Sequence, residues 1–463
     1  MKIDKLADEV LLYVFDFYLA DTIGIEAWHT LVHVCRRWRL IVFSSPRRLN
    51  LRIACSDWTL VTKKLNVWPP SLPIVVLGSC DTETCYDNIK AALGHHNRVC
   101  QIDLTLTAES EDVFEMLGEP FPKLTVLKLD STEIEDPVFP TSGQYFGGTT
   151  RLRSLSLLHI PIPRLPSLLL SSTDLVDLRL IEIPSSVFIS PDKMATALSA
   201  LTKLQLLHLG TQCDKSHPDW ENRRLHPLRP TVLPSLTELR FEGSIVYLED
   251  LMARIDAPLL DRLDIVVSFH LNPVIVFDAP QILRFISHVP KLQELSEAHI
   301  GIGSGGLQVW VDFLSTRTPS ALLKLEILCF LPEQQFPYLA QFFRSPFFPL
   351  PTLEYLYFDR GTYSRLRQRD DMDIVNTRWL ELLQPFVTVK NLYLSKDFAQ
   401  HITTALLGET LGEGEREVLP ALENIFIEKL PYQPTSTRRL SGHPILFSDW
   451  VRTGREERLW VDM

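Results

Sequence analysis

The chain has 463 residues, of which 45% are hydrophobic, and a formal net charge of −11. That length and apolar content suit two or more packed domains and exclude an intrinsically disordered chain. The acidic balance excludes a chain-wide basic surface, so no nucleic-acid partner is expected. The charge is uneven: residues 1–70 hold ten Lys/Arg against seven Asp/Glu, which leaves the other 393 residues at −14. The basic cluster is Arg36, Arg37, Arg39, Arg47, Arg48 and Arg52. It reads as a solvated helix face or as steering toward an acidic partner. No stretch approaches about eighteen uninterrupted apolar residues, so no membrane span is expected. The N-terminus is amphipathic and acidic rather than signal-peptide-like. Seven scattered cysteines argue against a disulfide framework and for a reducing compartment, the cytoplasm or the nucleus.

Leu6–Phe43 is the most strongly patterned stretch. From Asp8 to Leu19 the spacing predicts an amphipathic helix: Val10, Val14 and Tyr18 recur at helical intervals, with Leu11 and Phe15 beside them. Asp8 and Glu9 stand at its start, where acidic groups favour a helix N-terminus. Gly24 breaks the pattern. A second helical stretch carries Trp28, Leu31, Cys35, Trp38 and Val42. So small a module cannot bury all this apolar surface alone; it packs onto the following domain as a cap, or it docks on a partner.

The same residues resemble an F-box. The opening is Leu6, Ala7, Asp8, Glu9, Val10, Leu11 and Phe15, and the close is Val34, Cys35, Arg36, Arg37 and Trp38. The continuation from Ser44 to Asn50 is similar to the extended F-box of many fungal proteins. The resemblance covers about a tenth of the chain and agrees in order and spacing at both ends. Ala7 departs from the pattern, because proline is usual there and would pre-set the turn into the helix. The resemblance implies docking on the Skp adaptor of a cullin–RING ubiquitin ligase, with Leu6, Val10, Val14, Phe15, Leu31, Val34, Cys35 and Trp38 as the docking face. What spacing itself establishes is an apolar helical module beside a larger domain.

Residues 53–95 read as a helical linker and N-terminal cap, with Leu72–Leu77 as a first strand. From 96 to 430 the unit L-x-x-L-x-L recurs. Copies include Leu124/Leu127/Leu129, Leu152/Leu155/Leu157, Leu175/Leu178/Leu180, Leu204/Leu207/Leu209, Leu236/Leu239/Phe241 and Leu260/Leu263/Ile265. A weaker copy is Leu292/Leu295. Later ones are Leu322/Leu325/Ile327, Leu353/Leu356/Phe358, Val389/Leu392/Leu394 and Leu422/Ile425/Ile427. This looks like a leucine-rich-repeat array. Each L-x-L is a short strand whose alternate residues enter the core, and each unit buries its inner face only against neighbours. Asp192–Leu201, Ala279–His288, Leu307–Leu314 and Pro337–Arg344 read as helical or irregular pieces on the other side. The Asn or Cys usual after such strands is replaced by Thr132, Ile160, Ile183 or Leu430, so a side-chain ladder along the turns is missing. An ordinary α/β domain with coincidental leucine spacing is the alternative. Long insertions at 211–231, 360–373 and 408–417 interrupt the array, and 431–463 reads as a tail and C-terminal cap.

Two chemical motifs stand apart. Gly301–Gly306 matches G-x-G-x-x-G after a strand, but its place inside the array favours a repeat turn over dinucleotide binding. Cys80, Cys85, His95, His96 and Cys100 lack the tight pairs of structural zinc, so structural cysteines are favoured.

The expectation is an α/β chain: a small helical F-box (1–52) and an irregular leucine-rich-repeat-like solenoid, strands on the concave side and helices on the convex side. It is expected to be a ligase substrate receptor, not an enzyme, without cofactor or metal. Its adaptor docks at the F-box and an unknown protein substrate binds the concave face. Residues that alternate with strand leucines, Lys128, Arg179, His208, Arg240 and Tyr357, are the substrate-side candidates. The other reading is a repeat scaffold with a degenerate F-box and no ligase role.

Overall fold

A computed structural model describes residues 6–21, 27–44, 51–67, 70–79, 82–107, 111–131, 151–162, 165–184, 188–211, 229–269, 279–302, 308–316, 321–329, 339–344, 350–360, 376–408 and 418–427. The chain divides into two units, Met1–Gln212 and Cys213–Met463. Most of the three long insertions (212–228, 361–375 and 409–417) and the tail from 428 lie outside the described residues.

The first unit opens with three helices, α1 (Asp8–Asp21), α2 (Ala27–Val34) and α3 (Arg36–Ser44). α1 begins where the Ala7 carbonyl accepts the Leu11 amide at 3.1 Å. The second helical stretch is two helices, broken at Cys35. The Cys35 sulfur accepts the Trp38 amide at 3.4 Å, so a thiol caps α3 in the place a hydroxyl or carboxylate usually takes. Leu11, Phe15, Leu31, Val32, Ile41 and Val42 are buried. The Phe15 and Trp38 rings meet at 4.7 Å, tilted by 58°.

A parallel ladder comes next: β1 (Leu51–Cys55), β2 (Ile74–Ser79), β3 (Val99–Leu106), β4 (Val126–Ser131), β5 (Ser154–Leu158), β6 (Asp177–Ile183) and β7 (Leu206–Thr211). Each strand pairs with the next in chain order. The ladder starts at Leu51, ahead of Leu72–Leu77, so the segment expected as the first strand falls on the second. Between strands run α4 (Val61–Val67), α5 (Glu83–Leu93), α6 (Glu111–Met116), α7 (Leu165–Ser171) and α8 (Pro191–Leu198). The Ser190 hydroxyl accepts the Lys193 amide and Pro191 takes the first position of α8, both good helix starters.

Alternation explains the strands. Leu127 and Leu129, Leu155 and Leu157, Leu178 and Leu180, and Leu207 and Leu209 are all buried on one face. The residues between them stand on the other. The absent Asn ladder has a backbone substitute at the strand starts. The Thr125 amide donates to the Cys100 carbonyl, Arg153 to Thr125, Val176 to Arg153 and Gln205 to Val176, at 2.8–2.9 Å. Each unit is thus tied to its predecessor without a special side chain.

The second unit holds a short pair, β8 (Thr231–Val232) with β10 (Ile255–Asp256). Its main ladder consists of β9 (Glu238–Gly243), β11 (Arg262–Phe269), β12 (Glu297–Ile302), β13 (Gln308–Leu314), β14 (Leu322–Cys329), β15 (Tyr355–Arg360), β16 (Asn391–Leu394) and β17 (Asn424–Ile427). Helices α9 (Ile245–Met252), α10 (Pro280–His288), α11 (Asn376–Leu383) and α12 (Lys396–Gly408) intervene. Aromatic contacts seat α11 and α12 on the apolar face: Phe358 meets Trp379 at 5.8 Å and Phe398 at 6.2 Å.

Here chain order and spatial order part. The strands run β9, β11, β14, β13, β12, β15, β16, β17. β13 is antiparallel to both its neighbours. Leu307–Leu314, expected as a helical piece, is therefore a strand from Gln308 onward. The reason is periodicity: Val309, Val311 and Phe313 alternate and are buried, and β-branched and aromatic residues favour a pleated surface. The repeat frame slips at the same place. Leu323, Leu325 and Ile327 are the buried residues of β14, and Ala298 and Ile300 those of β12.

Candidate functional site

Two surfaces collect the candidate residues. On the helical module Val10, Val14 and Val34 are 44%, 47% and 55% exposed, and Cys35 is exposed too. Leu6 and Trp38 are half-buried. Phe15 and Leu31 lie inside the module and support its outer skin from beneath. Sequence reasoning passed over Phe17, 78% exposed, and over exposed Tyr13 and Leu40. Two arginines of the basic cluster are clamps. Arg37 reaches back to the start of α1, with Nη2 at 2.6 Å from Asp8 Oδ1 and 2.5 Å from the Leu6 carbonyl. Arg39 Nε donates to the Val32 carbonyl at 2.9 Å. The Val-Cys-Arg-Arg-Trp run thus has a local account: Cys35 caps α3, Arg37 ties it to α1, and Trp38 packs on Phe15.

On the strands, the residues between leucines form rows across the polar face. In the first unit register places Asp103, Lys128, Ser156, Arg179 and His208 side by side. Lys128 pairs with Asp103 at 3.2 Å, and Arg179 with Asp177 at 3.0 Å. In the second unit the row is Arg240, Asp264, Lys324, Asp312, His299, Tyr357, Tyr393 and Phe426. Of the five strand-face candidates, then, Lys128, Arg179 and His208 share one row and Arg240 and Tyr357 share the other.

The second row was mostly missed. Its aromatic half is a continuous stack: His299 on Tyr357 at 4.2 Å, Tyr357 on Tyr393 at 4.3 Å, and Tyr393 on Phe426 at 4.4 Å, all within 15° of parallel. Parallel strands in register hold directly opposed rings near the strand spacing, which is stacking distance. Its charged half is crowded. Arg240 Nη2 contacts Glu242 at 2.5 Å, and Lys324 Nζ sits 3.3 Å from Glu326 Oε2. Burial pushes the Asp312 carboxyl up to about 6, against the pull of Lys324 and His299 and with the help of Asp264 and Glu326. Burial also raises Asp264. Burial alone would lower Lys324, but Asp264, Glu326 and Asp312 hold it above the ordinary lysine range. Among the described residues Asp264 Oδ1, Asp312 Oδ1 and His299 Nε2 are buried atoms with no hydrogen-bond partner.

The glycine motif has a different use from phosphate binding. Gly301 lies opposite Trp310 in the β12–β13 pair. A Cβ on residue 301 would fall 2.1 Å from Trp310 Cζ2 and 2.2 Å from Cε2, so the indole lies over the glycine backbone. Gly303–Gly306 lie outside the described residues; among the described residues the next element is the strand β13, whereas a pyrophosphate site uses a helix N-terminus. Of the cysteine–histidine group, Cys80 lies outside the described residues, and among the described residues no three His, Cys, Asp or Glu gather as metal ligands. His96 packs edge-on against Phe121, the Cys100 thiol approaches the Ile74 carbonyl, and burial pushes Cys55 up to about 12. Cys85 is disulfide-bonded, and Cys35, Cys55 and Cys100 are free.

Parallel strands in register, leucines on the helix side and polar residues between them define a leucine-rich-repeat-like array with a helical module at its front. No protein-family model matches the chain, and no curated protein matches it. Among solved structures it is similar to the leucine-rich repeat-containing protein LegL7 from Legionella pneumophila, at 11% identity and a TM-score of 0.29, over 82% of this chain and 90% of that one.

Proposed function

We propose that this chain is a two-part interaction protein, and in finer terms a substrate receptor of a cullin–RING ubiquitin ligase. The helical module docks on a Skp-type adaptor, the array holds a client protein, and transfer gains from raised effective concentration. The chain contributes binding and no bond chemistry, and it works in the cytoplasm or nucleus. The observation that carries this reading is the exposed apolar surface of α1 and α2. Val10, Tyr13, Val14, Phe17 and Val34 stay outside while Leu11, Phe15, Leu31, Ile41 and Val42 already fill the interior. A module with a completed core and an apolar skin is built to be covered by something else. The F-box resemblance names the adaptor.

The test is co-purification of the full chain with a Skp adaptor, against Val10→Glu/Val14→Glu. These positions are exposed, so the exchange spares the module's core. Stoichiometric recovery by the parent and loss in the variant support the reading; equal recovery by both sinks the docking face. A second reading, a repeat scaffold without ligase role, is favoured by Ala7. Failure of a folded full-length chain to bind the adaptor selects it.

A further inference from the structure

The polar face of the second unit is unevenly furnished. Its three central rows carry Glu238, Glu242, Asp264, Glu297, Asp312 and Glu326 against Arg240, Arg262 and Lys324. Carboxylates therefore outnumber cations two to one. The cations are already engaged in part: Arg240 with Glu242 and Lys324 with Glu326. Asp264 Oδ1 and Asp312 Oδ1 remain as buried acceptors without a hydrogen bond among the described residues.

Beside them stands a platform. Trp310 lies over Gly301, which presses no side chain against its ring. It stands on the same face as Asp312, two residues along β13, and its register partner on β14 is Glu326. An indole flanked by carboxylates suits a flat, delocalised cation, which stacks on the ring and donates along its edge. Beyond His299, the stacked edges of Tyr357, Tyr393 and Phe426 continue the surface with apolar contact.

We propose that the polar face of the second unit binds an extended, cationic peptide segment of a partner protein, seating an arginine on Trp310 with its guanidinium donating to Asp312. This rests on the reading that the array holds a client, and it names the client's chemistry. It does not depend on adaptor docking, which uses other residues.

The test uses the full chain and a fluorescein-labelled peptide of four Arg-Gly repeats, read by fluorescence anisotropy. A second peptide carries citrulline at every arginine, keeping shape and losing charge. Saturable binding of the arginine peptide is expected, weakened about tenfold or more by citrulline, by Asp312→Asn and by Trp310→Leu. Asp112→Asn, an exposed carboxylate on α6 of the first unit, is expected to change affinity less than about twofold, as isolated surface charges do. Thermal melts establish that each variant is folded. The proposal is overturned by equal binding of the citrulline peptide, or by no saturable binding to the folded parent. It is equally overturned if Asp112→Asn costs as much as Asp312→Asn, which would mean diffuse attraction to an acidic chain. Peptide binding retained by a chain that fails to recover the adaptor overturns the ligase reading alone.

Discussion

Asp312→Asn is expected to stabilise the protein at neutral pH, although it deletes a charge beside Lys324. In the folded chain the Asp312 carboxyl is pushed from 3.8 up to about 6 by burial on β13. Such a carboxyl costs the fold about 3 kcal/mol once it is ionised. The sign is set by proton binding. Between about pH 4 and about pH 6 the folded chain keeps a proton that the unfolded chain has released, so stability falls as pH rises through this window and is flat above it. Asparagine keeps the shape and cannot ionise, but it forfeits attraction to Lys324 and His299. The net gain at about pH 8 is therefore about 1–2 kcal/mol, shrinking toward zero below about pH 4. Urea unfolding of parent and variant across this range, at unchanged m, measures it directly. A difference that ignores pH, or a variant less stable than the parent at about pH 8, would refute the assignment of a buried, under-satisfied carboxylate. Asp264, Glu297, Glu326, His299 and Lys324 share this face, and Lys324 pulls the Asp312 carboxyl down, so the same titration in Lys324→Met is expected to show a larger loss that extends to higher pH. Gaining stability while losing affinity for a cationic peptide is the behaviour of a residue held in readiness for a ligand.

Three further outcomes are expected. Gly301→Ala forces Trp310 off its seat, since the added carbon would lie 2.1 Å from Cζ2; a loss of about 1–3 kcal/mol in urea unfolding is expected, with weaker peptide binding. Trp38→Ala opens the contact with Phe15 and is expected to cost about 3 kcal/mol or more locally, seen as faster proteolysis within residues 6–44 while the strand array keeps its protection. Ala7→Ser supplies a hydroxyl at the cap of α1, where alanine has none; a gain of about 0.5–1 kcal/mol in the same protease assay is expected.

The leucine spacing carried much of the architecture. Wherever L-x-L recurred between Leu127 and Ile265, the leucines are buried and the residue between them stands on the polar face. Lys128, Arg179, His208, Arg240 and Tyr357 could therefore be placed from the pattern alone. The β12–β14 region could not, because alternation says a segment is a strand and does not say which strand lies beside it. Val309, Val311 and Phe313 carried the period-two signal, overlooked because a helix was expected between leucine repeats. His299, Asp312 and Lys324 share a row only through that antiparallel return, so no local motif could announce them. The F-box-like run was visible as a pattern, but the roles of Cys35 as a cap and Arg37 as a clamp depend on three-dimensional contacts, the latter about thirty residues apart.

The antiparallel return of β13 also sets how this array can be built and cut. In a plain repeat array each unit docks on the one before it, so folding spreads along the chain and terminal units can be trimmed. Here β11 waits for β14, whose first residue lies 60 positions after its own, while among the described residues β12 pairs with β13 and β15. A nascent chain that ends before Leu322 holds β12 with no edge of β11 to join. The span from β11 to β15 is thus one indivisible step: loop closure across it must precede any reward from pairing, and truncations inside it are expected to unravel more than they remove.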